Sequence, residues 1–348
     1  METIKGPAIF LAQFLRDEAP FNHIDSISSW VANLGYNGIQ VPAGDKSVFD
    51  LNKASESKVY CDEYKGKLKE KGIELVELGA YLEGQVLAMH PAYSEMFSIF
   101  HPEGLSIIQA SEWATGELMK TIKASANLGT ENISTLSGGF AWHTFYPWPQ
   151  RPEGLINEAF TELAKRWKPI LDMAADNGIS FGYELHPGSD LFDGISYEMF
   201  LEKTGNHSSA CITYDPSHML LQQMDYLQFI EIYASKIKAF HVKDAEFNPT
   251  GRSGVYGGYQ SWINRPGRFR SPGDGQVDFK RIFSLLTQHG YNGWAILEWE
   301  GCIKSPQQGA REGAPFIKQH IIDATQVVFD DFAGSATNRE RNRRILGL

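Results

Sequence analysis

Asp176-Asn177-Gly178-Ile179-Ser180-Phe181-Gly182-Tyr183-Glu184-Leu185-His186 holds the end of an amphipathic segment, a glycine stop, and a short strand that closes on an acid and an imidazole. Glycine just past a helix supplies the left-handed turn that ends it. In the strand, Phe181, Tyr183 and Leu185 share one face and Ser180, Gly182, Glu184 and His186 the other, because strand side chains alternate with period two. The same order recurs along the chain. Asn33-Leu34-Gly35 precedes an apolar run at 38–41, Glu70-Lys71-Gly72 one at 73–76, Asn127-Leu128-Gly129 one at 132–135, and Gln288-His289-Gly290 one at 294–297. Helix, glycine and strand in repetition is the pattern of βα units around a parallel sheet.

Extending the pattern gives eight strands, at about 7–13, 38–43, 73–80, 131–137, 179–186, 211–216, 237–243 and 294–300. Helical periodicity lies between them at about 24–34, 58–71, 110–128, 156–177, 196–204, 225–235 and 278–289, with a last helix near 311–326. Eight such units predict an α/β fold of the (β/α)8 TIM-barrel class; a doubly wound sheet with a cap is the alternative. No composition break marks a second domain, so 1–329 reads as one barrel domain and 330–348 as a C-terminal helical tail carrying Arg339, Arg341, Arg343 and Arg344. Helix-to-strand links are short, while strand-to-helix links after strands three, four and seven are long, at about 81–109, 138–155 and 245–277. In such barrels those loops build the active-site face.

The chain has 348 residues, 42% hydrophobic and 21% charged, an ordinary globular composition. A net charge of −10 argues against a nucleic-acid partner. Three cysteines without a close pair fit a reducing compartment. The first residues lack a basic segment followed by an apolar core, and no run of about 18 apolar residues is long enough to span a bilayer, so the expectation is a cytoplasmic protein with no membrane association.

Chemistry concentrates at the ends of strands five to eight. Glu184, Asp215, His241 and Glu298 each follow an apolar run, and adjacent staves of a barrel bring such positions together. A carboxylate at the end of a buried strand is costly unless something pairs with it. Three carboxylates and one imidazole make a hard, mixed ligand set suited to Mn2+ above all, with Mg2+, Co2+ or Zn2+ possible. Glu300 shares a face with Glu298 and is the rival last ligand. The long loops are rich in aromatics. The strand-four loop contains Trp142 and His143, and the strand-seven loop contains Trp262 and Arg268. Aromatic faces with a few polar groups suit a carbohydrate ring, although they also serve to pack lids onto a barrel.

These motifs resemble the sugar phosphate isomerase/epimerase branch of the xylose-isomerase-like barrels. Glu184 matches the strand-five Glu of that family. Asp215-Pro216-Ser217-His218 is similar to its Asp-x-x-His and His241-Val242-Lys243-Asp244 to its His-x-Lys-Asp. Gly290-Tyr291-Asn292-Gly293 leads to Glu298 as the family's Gly-Tyr-x-Gly leads to its last Glu. The resemblance implies a divalent-metal-dependent sugar isomerase or epimerase. It would act on a ketose or keto-sugar through a metal-bound enediolate, with Glu184 and Glu298 as the acid–base pair. His186, His218 and Lys243 are then candidates to hold substrate hydroxyls, or to orient a ligand from behind. The long loops also admit a larger substrate or a partner subunit, and the outer faces of a barrel with the C-terminal helix admit a homo-oligomer. The same enolisation followed by β-elimination would make the protein a 3-keto-glycoside lyase, with His143 as the added acid or base. An apurinic-type endonuclease shares the barrel but fits the acidic charge poorly. No glycine-rich turn with phosphate character opens a helix near strands seven or eight, and no nucleotide fingerprint is present.

Overall fold

The computed structural model describes residues 3–324 and 338–348. Eight parallel strands close into a barrel: β1 (Lys5–Phe10), β2 (Gly38–Pro42), β3 (Glu74–Gly79), β4 (Asn132–Thr135), β5 (Ser180–Glu184), β6 (Ala210–Tyr214), β7 (Ile237–Val242) and, after an inserted antiparallel hairpin of β8 (Asp244–Phe247) and β9 (Gly267–Arg270), β10 (Trp294–Leu297). Each strand pairs with its sequence neighbour in the barrel, and β10 closes onto β1. The (β/α)8 expectation therefore holds.

The helices are α1 (Ile24–Asn33), α2 (Leu51–Glu56), α3 (Lys58–Lys69), α4 (Tyr81–Leu87), α5 (Ile107–Leu128), α6 (Leu155–Asp176), α7 (Gly194–Lys203), α8 (Pro216–Leu221), α9 (Tyr226–Tyr233), α10 (Phe279–Gln288), α11 (Pro306–His320) and α12 (Arg339–Ile345). The five glycines that punctuate the sequence, Gly35, Gly72, Gly129, Gly178 and Gly290, all have positive φ, the left-handed turn their positions called for. The last barrel helix starts earlier than periodicity suggested and ends at His320. The rest of the expected 311–326 segment beyond 324, and the start of the expected tail, lie outside the described residues; α12 falls within that tail. No helix among the described residues is long and apolar enough to cross a membrane.

Two layers of packing position the site. Outward-facing residues such as Ile133, Phe181, Tyr183, Ile212, Phe240 and Leu297 join the large core between strands and helices. Inward-facing residues fill the barrel, with Ala8, Phe10 and Ile296 forming a small apolar floor. Above it lies a polar layer. Gly182 faces this layer, and a Cβ there would sit 2.4 Å from Thr213 Oγ1, so the strand must carry glycine at the position just below Glu184.

The long loops carry structure that periodicity did not show. The loop after β3 begins with α4, and the loop after β7 contains the β8–β9 hairpin. Asp244 pins that hairpin: its carboxylate accepts from the N–H groups of Ala245, Gly273, Gly275 and Val277. Asp190, just beyond β5, does the same for the β4 loop, accepting from Phe140 and Ala141.

Candidate active site and metal centre

Period-two alternation carries inward side chains up each strand and just past its end: Gly182, Glu184 and then His186 beyond β5, Thr213 and then Asp215 beyond β6, Ala239, His241 and then Lys243 beyond β7, Ile296 and then Glu298 beyond β10. The result is one buried group. Glu184, Asp215, His241 and Glu298 each offer a ligand atom, and these atoms all lie within 4.8 Å of one another. All four are buried, with exposures of 2%, 2%, 0% and 6%, which is rare for carboxylates that lack compensation.

The donor chemistry fits a divalent cation. One Asp215 oxygen accepts from Ser217 N at the start of α8, while its Oδ2 is buried and accepts no hydrogen bond. His241 turns Nδ1 toward the carboxylates, 2.8 Å from Glu298 Oε2 and 3.6 Å from Glu184 Oε2. Its other nitrogen, Nε2, is 3.1 Å from Gln40 Oε1, and Gln40 donates in turn to Glu77. An acceptor on the far side of a ligating imidazole fixes the tautomer and ring orientation, the usual arrangement behind a metal-binding histidine. Glu77 also accepts from Asn132 and Ser134, so the chain of hydrogen bonds ends in a satisfied buried carboxyl.

Lys243 is the charge that balances this group. It is 2% exposed and lies 3.3 Å from Glu298, 3.5 Å from Asp215 and 3.1 Å from Glu300, with its ammonium over the Phe269 ring at 4.6 Å. Burial would discharge it, but Glu298, Glu300 and Asp215 more than offset that and hold it firmly protonated. Burial likewise opposes ionisation of Glu298, and Lys243 and His241 overcome it, keeping that carboxylate well below its ordinary range. Glu184 is displaced upward, first by burial and then by the nearby Glu298 charge. His186 and His218 are held neutral by burial and by the Lys243 charge, His186 at about 4.

Of the residues singled out from sequence, Glu184, His186, Lys243 and Glu298 line a single cavity of about 730 Å3 at the C-terminal end of the strands. Asp215 and His241 sit just beneath its surface, together with His218, whose Nε2 is 2.9 Å from Glu184 and 3.2 Å from Lys243. Glu300 lines the cavity but stands outside the four-residue group, paired to Lys243. Trp142, His143 and Arg268 do not line it. Trp142 stacks on Phe145 at 4.6 Å, His143 on His90 at 3.8 Å, and Arg268 pairs with Glu246 within the hairpin. Sequence reading did not single out Gln13, Tyr81 and Glu83, which do line the cavity. Gln13 donates to Glu298 Oε1 at 2.9 Å, and the Tyr81 hydroxyl lies 3.4 Å from His241.

A family model described as a xylose isomerase-like TIM barrel matches residues 29–320. An inosose dehydratase from Clostridium botulinum (strain Alaska E43 / Type E3) is 28% identical over 166 residues, 47% of this chain and 55% of that protein. The match thus spans about half the length of that curated relative. Among solved structures, 3-keto-D-glucoside 4-epimerase from E. coli superposes with a TM-score of 0.60 at 15% identity, over 90% of this chain and 100% of that one. A xylose isomerase-like TIM barrel protein from Mycobacterium smegmatis in complex with magnesium does so with a TM-score of 0.62 at 14% identity, over 92% and 96%. At these identities the two structures speak to the fold alone.

Proposed function

The chain belongs to the xylose isomerase-like TIM barrel family, and we propose on that premise that it enolises a keto-sugar or cyclic keto-polyol with the help of a divalent cation and then expels a β-oxygen. The observation that carries this reading is the shared cavity: Glu184, His186, Lys243 and Glu298 all open onto it beside the four-residue ligand group. Glu184, Asp215, His241 and Glu298 would hold the cation. When bound, such an ion polarises a carbonyl and acidifies the neighbouring C–H.

The residues of this chain supply the remaining steps. One of Glu184 and Glu298 takes the proton from the carbon next to the carbonyl. The electron pair moves to the carbonyl oxygen, and Lys243, fixed and protonated in the cavity wall, stabilises the charge that develops there. Collapse of the enolate re-forms the carbonyl and breaks the bond to the β-oxygen. That oxygen leaves as water when it takes back the proton that the carboxylate removed, and the organic product is an α-hydroxy enone, the enol of a 1,2-diketone. The curated relatives favour water as the leaving group, since an inosose is a cyclic keto-polyol and its dehydration needs this sequence of steps. An alkoxy leaving group would give the glycoside-lyase outcome by the same route.

Epimerisation is the second reading, favoured by the presence of two carboxylates, Glu184 and Glu298, on one cavity. Product analysis separates the two. The cation-loaded protein is incubated with a panel of inososes and 3-keto-glycosides and followed by NMR and near-ultraviolet absorbance. Loss of water with appearance of a 2-hydroxyenone or its 1,2-diketone tautomer is the expected result, with turnover falling about 100-fold or more in Glu184→Gln and Glu298→Gln. An epimer without enone would transfer the assignment to epimerisation, and inertness toward every ketone would overturn both.

A further inference from the structure

We propose that Glu83 is a specificity-determining residue of the cavity, binding adjacent hydroxyls of an unphosphorylated polyol ring; this rests on the reading of the site as one for keto-polyols. Glu83 stands on α4 and lines the same cavity as Glu184, Lys243 and Glu298, but takes no part in their network. It is 4% exposed. Among the described residues, no lysine, arginine or histidine lies within ion-pair distance of it, and no other residue's side chain hydrogen-bonds it. Its own backbone N–H is the one group that meets the carboxyl, which leaves further hydrogen-bonding capacity facing the cavity for a ligand to take up.

The wall around it is shaped for that carboxyl. Gly44, also on the cavity, faces it so closely that a Cβ there would sit 2.4 Å from Glu83 Oε1. The charged group facing Glu83 from α5 is Glu117, itself paired to Lys120 at 2.7 Å, while Asp45 and Lys46 line the cavity next to Gly44. Burial, opposed by its own backbone N–H and reinforced by Glu117, pushes the Glu83 carboxyl up to about 7, so below that pH the protonated form predominates. In that form it offers one O–H donor and one carbonyl acceptor, the complement of two neighbouring ring hydroxyls. Away from the cation group the lining sets Asp45, Glu83 and Glu117 against Lys46, a balance that disfavours a phosphate dianion at this end of the cavity.

The test uses the Mg2+-loaded full chain. Calorimetry measures binding of myo-inositol, which lacks a carbonyl to enolise, and of an inositol monophosphate; steady-state kinetics uses 2-keto-myo-inositol. Loss of the paired hydrogen bonds in Glu83→Ala is expected to weaken inositol binding and raise KM about tenfold or more, with kcat changed by less than about threefold. Glu83→Gln, which keeps a donor and an acceptor, stays close to wild type, and Gly44→Ala, whose methyl displaces the carboxyl, follows Glu83→Ala. The monophosphate binds wild type more weakly than inositol. Unchanged inositol binding in Glu83→Ala, tighter binding of the phosphate ester, or no polyol binding by wild type would each overturn the proposal. Weakened inositol binding in Glu83→Ala, with no ketone turned over by wild type, would leave the Glu83 assignment standing and sink the elimination reading.

Discussion

Lys243 shows how much of the site rests on a single residue. Its ammonium is the buried cation shared by Glu298, Asp215 and Glu300. Replacing it with methionine keeps the bulk and strands the carboxylates, and breaking a buried ion network of this kind costs about 3–5 kcal/mol. Urea denaturation of the cation-free Lys243→Met protein should show that loss, and added Mg2+ should recover part of it. Glu83 gives a prediction with a definite pH window. Its carboxyl is raised by burial from an ordinary value of 4.5 to about 7. A group raised in the folded state stabilises it fully below the unfolded value and loses that contribution as pH climbs through the folded one. At about 1.4 kcal/mol per pKa unit, the contribution lost across this window is about 3 kcal/mol. Thermal unfolding should therefore show wild type losing stability between about pH 4.5 and pH 7 relative to Glu83→Gln, which does not titrate. Parallel profiles would contradict the protonated, buried carboxyl.

At the scale of elements, the sequence reveals what is periodic and conceals what tertiary contact decides. The eight strands are legible because β-runs follow glycine stops, and the ligand residues because each closes an inward-facing row. The helix α4 is not legible. It is seven residues long and contains Gly84, where a Cβ would lie 2.1 Å from Thr135 Oγ1 and 2.2 Å from Leu136 O, so packing rather than helix propensity places it. Glu83 was hidden with it. Gln40 and Glu77 did leave a signal, as polar residues at inward positions of otherwise apolar strands. Trp142, His143 and Arg268 were selected by residue type, but type does not tell which way a lid side chain turns. The β8–β9 hairpin was concealed because Asp244-Ala245-Glu246 reads as the continuation of β7. Its dependence on Asp244 is testable: Asp244→Asn turns an acceptor of several N–H groups partly into a donor, which costs about 1–3 kcal/mol. Limited proteolysis should then cut the 248–266 segment faster than in wild type. An unchanged cleavage rate would show that the hairpin is held by other contacts.

For the whole molecule, the barrel serves as a frame that brings three carboxylates and an imidazole within 4.8 Å of one another and holds them out of water. Lys243 offsets part of the charge of this group, and a cation that binds only the folded state stabilises it by mass action, about 2.7 kcal/mol at one hundred times Kd. Melting curves should rise with Mn2+ or Mg2+ in wild type, return on chelation, and lose the response in Asp215→Asn. The central claim is that this frame removes a carbon-bound proton next to a carbonyl, and deuterium wash-in tests it most directly. The Mn2+-loaded protein is placed in D2O with keto-inositols and 3-keto-glycosides, and carbon-bound hydrogen is followed by NMR. Deuterium is predicted to enter next to the carbonyl, or into the elimination product, with wild type, and to be excluded with Glu184→Gln and Glu298→Gln. Stoichiometric cation binding without exchange in any of these ketones, or exchange undiminished in both variants, would contradict the account.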